Sequence, residues 1–486
     1  MKDPAHPAVL SDGKAMGYGQ LWATAQRLAS MLQSQGVRAG DRVAFLGRRS
    51  AHDFTFILAI WLSGAAYVAL NHKFPVDRCR AILADSGARG VLVGPHSLDL
   101  AREVMGTATG IEVTEAEATF FPCAPSALPA TTGLAYLMFT SGSTGKPKGV
   151  PITFENLEAF LGNLQSLYPA SPDDRMSQLA DLSFDASVQE FAWCWWVGAT
   201  LCPVPATGAL MWPRYAQELE TTVMLIVPSS VALAARARML PRGALPKLRL
   251  AFLGAEAVTR NVVQVMGEAA PNAQFVNLWG PTEATVFFTH FRIDPKAELP
   301  DVIPIGHPFP GQMLQVWDEG GRVLRAGEAG ELMQSGSQVT HGYWRNPDAD
   351  AQRFAVQAGL RWYRSGDLAV FDPQVGYRYL GRVDRQVKVR GYRVELQECE
   401  SAVRDAARCS QAAVVPLIRD GEVSADSLVC FVVEPKVDVG ELADLLKGRL
   451  PEYMVPARFI VTDELPLGVT GKTDYRALQE RLREAA

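Results

Sequence analysis

Amphipathic stretches alternate with short apolar runs through the first 130 residues and again from Leu134 to about Val286, and this rhythm restricts the fold more than any other feature. The spacing of apolar residues predicts helices over Tyr18–Gln35 and Ser50–Ser63, with strands at Arg42–Gly47 and Ala65–Leu70. Further strand candidates lie at Tyr136–Phe139, Met224–Val227, Leu250–Leu253 and Phe275–Asn277. Helix and strand in alternation call for an α/β fold with a doubly wound parallel sheet. From Ile303 to Leu380 the texture changes to short segments punctuated by Gly and Pro, which suits an antiparallel, barrel-like module. After Asp384 it changes again, to the pattern of a small α+β domain. At 486 residues the chain exceeds what one hydrophobic core usually serves. The expected division is a core over 1–383 and a smaller domain over 384–486.

Charge argues against some partners. The formal net charge is −5 with acidic and basic residues intermixed, so there is no electrostatic footprint for nucleic acid or an anionic membrane. The longest apolar stretch, Phe54 to Leu70, is broken by Ser63 and Gly64 and reads as a buried helix followed by a strand. The N-terminus lacks the apolar centre of a signal peptide. Seven scattered cysteines, odd in number and without metal-ligand spacing, read as reduced thiols of a cytoplasmic protein.

The stretch with the most chemistry is Tyr136-Leu-Met-Phe-Thr-Ser-Gly-Ser-Thr-Gly-Lys-Pro-Lys-Gly-Val150. An apolar strand runs into a loop of hydroxyl residues, glycines and lysines, a composition that can cradle phosphate oxygens. A plain polar surface loop is the bland alternative. A P-loop is the sharper rival, but it needs G-x-x-x-x-G-K-[ST]. Here Gly142 and Gly145 are three apart and Pro147 follows Lys146, so that reading fails.

This loop resembles the signature of the adenylate-forming superfamily, which includes adenylation domains of peptide synthetases, acyl- and aryl-CoA synthetases and luciferases. Four further segments resemble that family's motifs in the right order: Asn277-Leu-Trp-Gly-Pro-Thr-Glu283, Tyr363-Arg-Ser-Gly-Asp367, Tyr379 through Glu395, and Leu465 through Lys472. The resemblance implies a large N-terminal domain of two doubly wound α/β subdomains and a small β-barrel module, followed by a small mobile α+β domain. It also implies ATP and Mg2+, with Glu283 as the metal ligand. A carboxylate suits that hard cation, although an acid after Pro281-Thr282 also suits a helix N-terminus. Thr140, Ser141, Gly142, Ser143, Thr144 and Lys148 would steer the phosphates. Asn277, Leu278, Trp279, Gly280 and Thr282 would surround the adenine, with Trp279 standing where the family more often has tyrosine. Asp367 would hold the ribose hydroxyls, and Tyr379 and Arg382 would complete the nucleotide site. Lys472 would be the catalytic cation between carboxylate and α-phosphate, although most lysines simply face solvent. Asp384 would be the hinge, with the hairpin Gln386 to Glu395 facing the acceptor thiol.

Phe184-Asp-Ala-Ser-Val-Gln-Glu-Phe191 is similar to the segment in which amino-acid-activating members place an aspartate against the substrate ammonium, and Asp185 matches it. The other reading of Asp185 is a helix N-cap. Carrying the family's pocket over gives Asp185, Ala186, Gln189, Ser230, Phe252, Gly254, Leu278, Val286 and Phe287. Asp185 is the one charge among them, which implies an amino acid with a neutral side chain. The expected function is formation of aminoacyl-AMP with release of pyrophosphate, then transfer to the phosphopantetheine thiol of a separate carrier protein. The chain stops at Ala486 without a Gly-Gly-His/Asp-Ser attachment motif, as expected of a stand-alone enzyme or an excised domain. A D-alanine–carrier protein ligase, an acyl- or aryl-CoA ligase and a non-catalytic nucleotide-binding scaffold are the alternatives. His72 and the cluster Cys194-Trp-Trp196 depart from the usual pattern.

Overall fold

The computed structural model describes residues 3–11, 13–113, 116–123, 128, 130–142, 147–205, 210–419, 424–466 and 473–484. These fall into two compact units. The first comprises Met1–His72, Ile82–Phe139 and Gly149–Val383, and the second Lys73–Ala81, Thr140–Lys148 and Asp384–Ala486.

Two mixed sheets organise the first unit. One has seven strands in the order Ile111–Val113, Ala118–Pro122, Gly90–Val93, Arg42–Gly47, Ala66–Asn71, Leu134–Thr140 and Lys148–Thr153. Its centre is parallel and Ala118–Pro122 turns antiparallel. The other sheet has nine strands, with Leu250–Gly254, Val223–Ile226, Arg175–Gln178 and Thr200–Pro203 parallel at its centre and Gln274–Trp279 beside them. Central strands flanked by helices are buried on both faces, which is why they read as continuous apolar runs. Helix Tyr18–Ser34 buries Leu21, Ala25, Leu28, Ala29 and Leu32, one stripe at helical spacing. Helix Ala51–Leu62 starts at a Ser50–Asp53 capping box, and the strand Ala66–Asn71 follows it. The apolar stretch Phe54–Leu70 is therefore a buried helix and a strand, and among the described residues no helix is long and apolar enough to cross a membrane.

A five-stranded antiparallel sheet completes this unit, and its thirteen-residue strand Leu360–Asp372 pairs with Ala329–Ser335, Phe354–Gln357 and Gly376–Arg382. In the second unit Gln411–Leu417, Ser427–Val433 and Arg458–Thr462 form a three-stranded sheet, covered by helix Leu396–Ala407. The hairpin Gln386–Val389/Tyr392–Glu395 turns through Arg390 at φ 51° and Gly391 at φ 85°, the double left-handed turn that fits strand twist. All seven cysteines are free thiols.

Candidate active site

Asp185 occupies the position before helix Ala186–Val197 but makes no side-chain capping bond. Its negative charge reaches Tyr67 and Tyr136, whose hydroxyls are raised well above the usual phenol range, first by burial and then by Asp185. These two tyrosines stand opposite each other in parallel strands, with ring centroids 5.5 Å apart. Neither hydroxyl has a hydrogen-bond partner among the described residues. The sequence offered no sign of them beyond two aromatics in strand-like runs.

The loop leading to Asp185 is held by Glu190, which is buried within the same helix. Its carboxyl accepts from Leu179 N–H at 2.8 Å, Ala180 N–H at 3.1 Å and Gln178 Nε2 at 3.1 Å. Burial outweighs these donors and the Arg49 charge, pushing its pKa up to about 8. Arg49, itself at φ 62°, donates to the Leu179 carbonyl.

One face of the same helix carries Asp185, Gln189 and Trp193, each one turn below the last. Trp193 is 1% exposed, and its indole N–H donates to Gln165 Oε1 at 2.9 Å. Its ring packs edge-on against Phe252 at 5.8 Å, and Phe252 packs edge-on against Tyr168 at 5.5 Å. Trp193 was not among the pocket residues expected from sequence. The four-residue spacing Asp185, Gln189, Trp193 is the signal that points to it. Other expected pocket residues have identifiable packing roles. A Cβ on Gly254 would lie 2.7 Å from the Leu278 carbonyl oxygen, so only glycine fits between these neighbouring strands. Leu278, Val286 and Phe287 are buried, while Ala186 and Ser230 are partly exposed. Thr285 and Val286 both adopt positive φ, 57° and 66°, a strain of about 1–3 kcal/mol each for such residues. Gln338 braces that bend by donating to the Phe287 carbonyl at 2.8 Å and accepting from Thr285 Oγ1 at its own carbonyl.

The residues expected around the nucleotide divide by unit. In the first, Asn277 is buried and donates its amide to the Pro304 carbonyl at 2.8 Å, which ties the strand end to the next segment. Trp279 is partly exposed at the end of that strand. Gly280 lies where a Cβ would come within 2.5 Å of Phe287 Cα. Thr282 and Glu283 form a single helical turn. Glu283 is 1% exposed and accepts from the Tyr343 hydroxyl at 2.7 Å. Asp367 follows Gly366, whose φ of 75° favours glycine, and pairs across the strands with Arg382. Arg382 Nη1 lies 2.6 Å from Asp367 Oδ1 and Nη2 donates to the Ser365 carbonyl at 3.2 Å. Tyr379 sits opposite Ala369 on the same strand pair.

In the second unit the Ser141 hydroxyl donates to the Arg393 carbonyl at 2.9 Å, and Gly142 N–H to Glu398 Oε2 at 3.3 Å. Glu398 is also paired with Arg78 at 2.7 Å. The Thr140 hydroxyl lies 3.5 Å from the Lys148 carbonyl, and Asp384 accepts from Gln386 N–H at 3.2 Å. Ser143, Thr144 and Lys472 lie outside the described residues.

A buried carboxylate with one oxygen held by a tyrosine hydroxyl suits a cation that takes its other oxygens from phosphates and water, so Glu283 fits magnesium. No cluster of three acidic, His or Cys side chains able to hold a metal by itself occurs among the described residues.

Comparison with known proteins fixes the class. Residues 1–344 match the family described as AMP-binding enzyme, and residues 398–472 match AMP-binding enzyme C-terminal domain. The chain belongs to this family and is an adenylate-forming ligase. It is 36% identical to surfactin synthase subunit 2 of Bacillus subtilis (strain 168), covering 100% of this chain and 14% of that protein. The Vibrio cholerae adenylation domain AlmE, solved with glycyl-adenosine-5'-phosphate, superposes with a TM-score of 0.90 at 28% identity, over 99% of this chain and 96% of that one. A nonribosomal peptide synthetase protein containing adenylation and PCP domains matches with a TM-score of 0.79 at 25% identity, over 98% and 82% of the two chains.

Proposed function

We propose that this chain activates an amino acid with a neutral side chain as aminoacyl-AMP and passes it to the phosphopantetheine thiol of a carrier protein. The observation that carries the reading is Asp185, a carboxylate set at the head of a buried helix beside the buried Tyr67 and Tyr136, whose hydroxyls feel its charge. A carboxylate there matches a substrate ammonium, whose burial without a counter-charge would be costly. The relative solved with a glycyl adenylate, and the one that contains a PCP domain, support the same reading.

In the first step a substrate carboxylate oxygen attacks the α-phosphorus of ATP. A new P–O bond forms as the bond to the oxygen bridging α- and β-phosphorus breaks, and pyrophosphate leaves with that electron pair. Asp185 orients the acid through its ammonium, and Asp367, fixed by Arg382, receives the ribose hydroxyls. Trp279 lies against the adenine. Thr140, Ser141, Gly142, Ser143, Thr144 and Lys148 supply the donors and charge that hold the leaving phosphates. Magnesium, when bound at Glu283, offsets phosphate charge. Lys472 stabilises the charge that develops between carboxylate and α-phosphate. In the second step the carrier thiolate attacks the acyl carbon, a C–S bond forms, and AMP leaves with the former carboxylate oxygen. Rotation about Asp384 between the two steps would bring the hairpin Gln386–Glu395 to the thiol.

ATP–pyrophosphate exchange tests this directly. An amino acid should stimulate exchange, and the matching acid without an α-amino group should not. Exchange stimulated only by acids that lack an amino group would replace this reading with an acyl- or aryl-CoA ligase.

A further inference from the structure

We infer that the acid pocket is closed by Trp193 and accepts only the smallest amino acids: glycine, alanine or serine. The inference rests on Asp185 holding the substrate ammonium, and it adds the size of the side chain beyond it.

Asp185, Gln189 and Trp193 descend one helix face in steps of four residues, about 6 Å each along the axis. A side chain entering beside this helix passes Gln189 and meets Trp193. Between Gln189 and Trp193 on this face lies a cavity of about 10 Å³, lined also by Met176, Ser177, Leu225 and Phe252 among others. That is about the threshold for a single water molecule. Its walls are not free to retreat. The Trp193 indole is anchored on Gln165, and Gln165 is fixed in turn by two hydrogen bonds to the Ala170 backbone at 2.9 and 3.2 Å. Phe252 on the far side is wedged between Trp193 and Tyr168, and the Tyr168 hydroxyl lies 2.8 Å from His290 Nδ1. A packed interior of this kind resists enlargement, because added methylenes force shifts in fixed neighbours.

Two polar atoms bordering the cavity, Gln189 Oε1 and Ser177 Oγ, have no hydrogen-bond partner among the described residues, and both residues are 2% exposed. Buried polar atoms seek partners. A serine hydroxyl reaching this depth would offer such a partner. A leucine, phenylalanine or glutamine side chain has no room.

The experiment is ATP–pyrophosphate exchange by the full chain over all twenty proteinogenic amino acids, repeated with Trp193→Ala and Trp193→Phe. Glycine, alanine or serine should exceed leucine, phenylalanine and glutamine by about 100-fold or more in kcat/KM, the scale on which pockets discriminate by size. Trp193→Ala should raise exchange with leucine or phenylalanine at least ~10-fold. Trp193→Phe keeps an aromatic plug should the alanine variant misfold, and should shift the preference toward alanine over glycine. Strongest wild-type exchange with a large side chain overturns the inference and leaves amino-acid activation standing. A wild-type chain that exchanges only with acids lacking an amino group overturns both.

Discussion

The proposed acid pocket and the strand pair carrying Asp367 sit in the same unit but are built on opposite principles. Around helix Ala186–Val197 the shape is set by packed rings, and the polar groups are few and deeply buried. Around Asp367 the geometry is set by charge, with Arg382 on the aspartate and Arg364 on Glu331 at 2.8 Å, whose other oxygen accepts from Gly366 N–H at 3.2 Å. On the proposed function, the difference corresponds to what each region would recognise. A nucleotide is the same in every turnover and is well served by fixed ion pairs. An acid must be chosen among near relatives, and packing chooses by volume.

Deleting charge should therefore reduce turnover with any acid, whereas altering shape should change which acid is used. Lys472→Ala should reduce ATP–pyrophosphate exchange by about 100- to 1,000-fold, the cost of losing a donor aimed at developing charge. Single-turnover formation of acyl-AMP checks it, and an unchanged rate would remove the lysine from the chemistry. Arg382→Ala leaves Asp367 buried without its guanidinium, which costs about 3–5 kcal/mol where such a pair is well shielded. KM for ATP should rise more than ~10-fold with the amino-acid preference unchanged. A change in preference would break the contrast between the two regions.

Gly254→Ala tests the packed side. Its Cβ would collide with the Leu278 carbonyl, and the variant should unfold at lower denaturant, by about 1–3 kcal/mol. Glu190→Gln should show itself as a changed pH dependence of stability. Glu190 is raised from an ordinary value of 4.5 to about 8 in the folded chain. Between these values the folded state holds a proton that the unfolded state has lost, so stability falls as pH rises, by at most about 1.4 kcal/mol per unit. Below that window both states are protonated and the penalty is absent. Urea unfolding across the window should show this slope in the wild type and lose it in Glu190→Gln.

Much of the architecture was legible because strands buried on both faces leave apolar runs that periodicity detects, as Arg42–Gly47 shows by matching its predicted limits. The Ser141–Arg393 contact, 252 residues apart, was not legible, since no local pattern specifies a partner so distant. Trp193 was hidden for a related reason. Helix Ala186–Val197 is apolar nearly all round, so periodicity cannot say which face meets Phe252. The positive φ of Thr285 and Val286 was equally unreadable, because β-branched residues there go against local preference and are held by Gln338 from another segment.

The most direct test of the central claim, that Asp185 recognises a substrate ammonium, compares wild type with Asp185→Ala in ATP–pyrophosphate exchange. The substrates are the best amino acid and the same acid without its amino group. Strong exchange with the amino acid is expected in the wild type alone, with a loss of about 100-fold or more in the variant, and a smaller penalty for the deaminated acid in the variant than in the wild type. Equal exchange by the two proteins with the amino acid would contradict it.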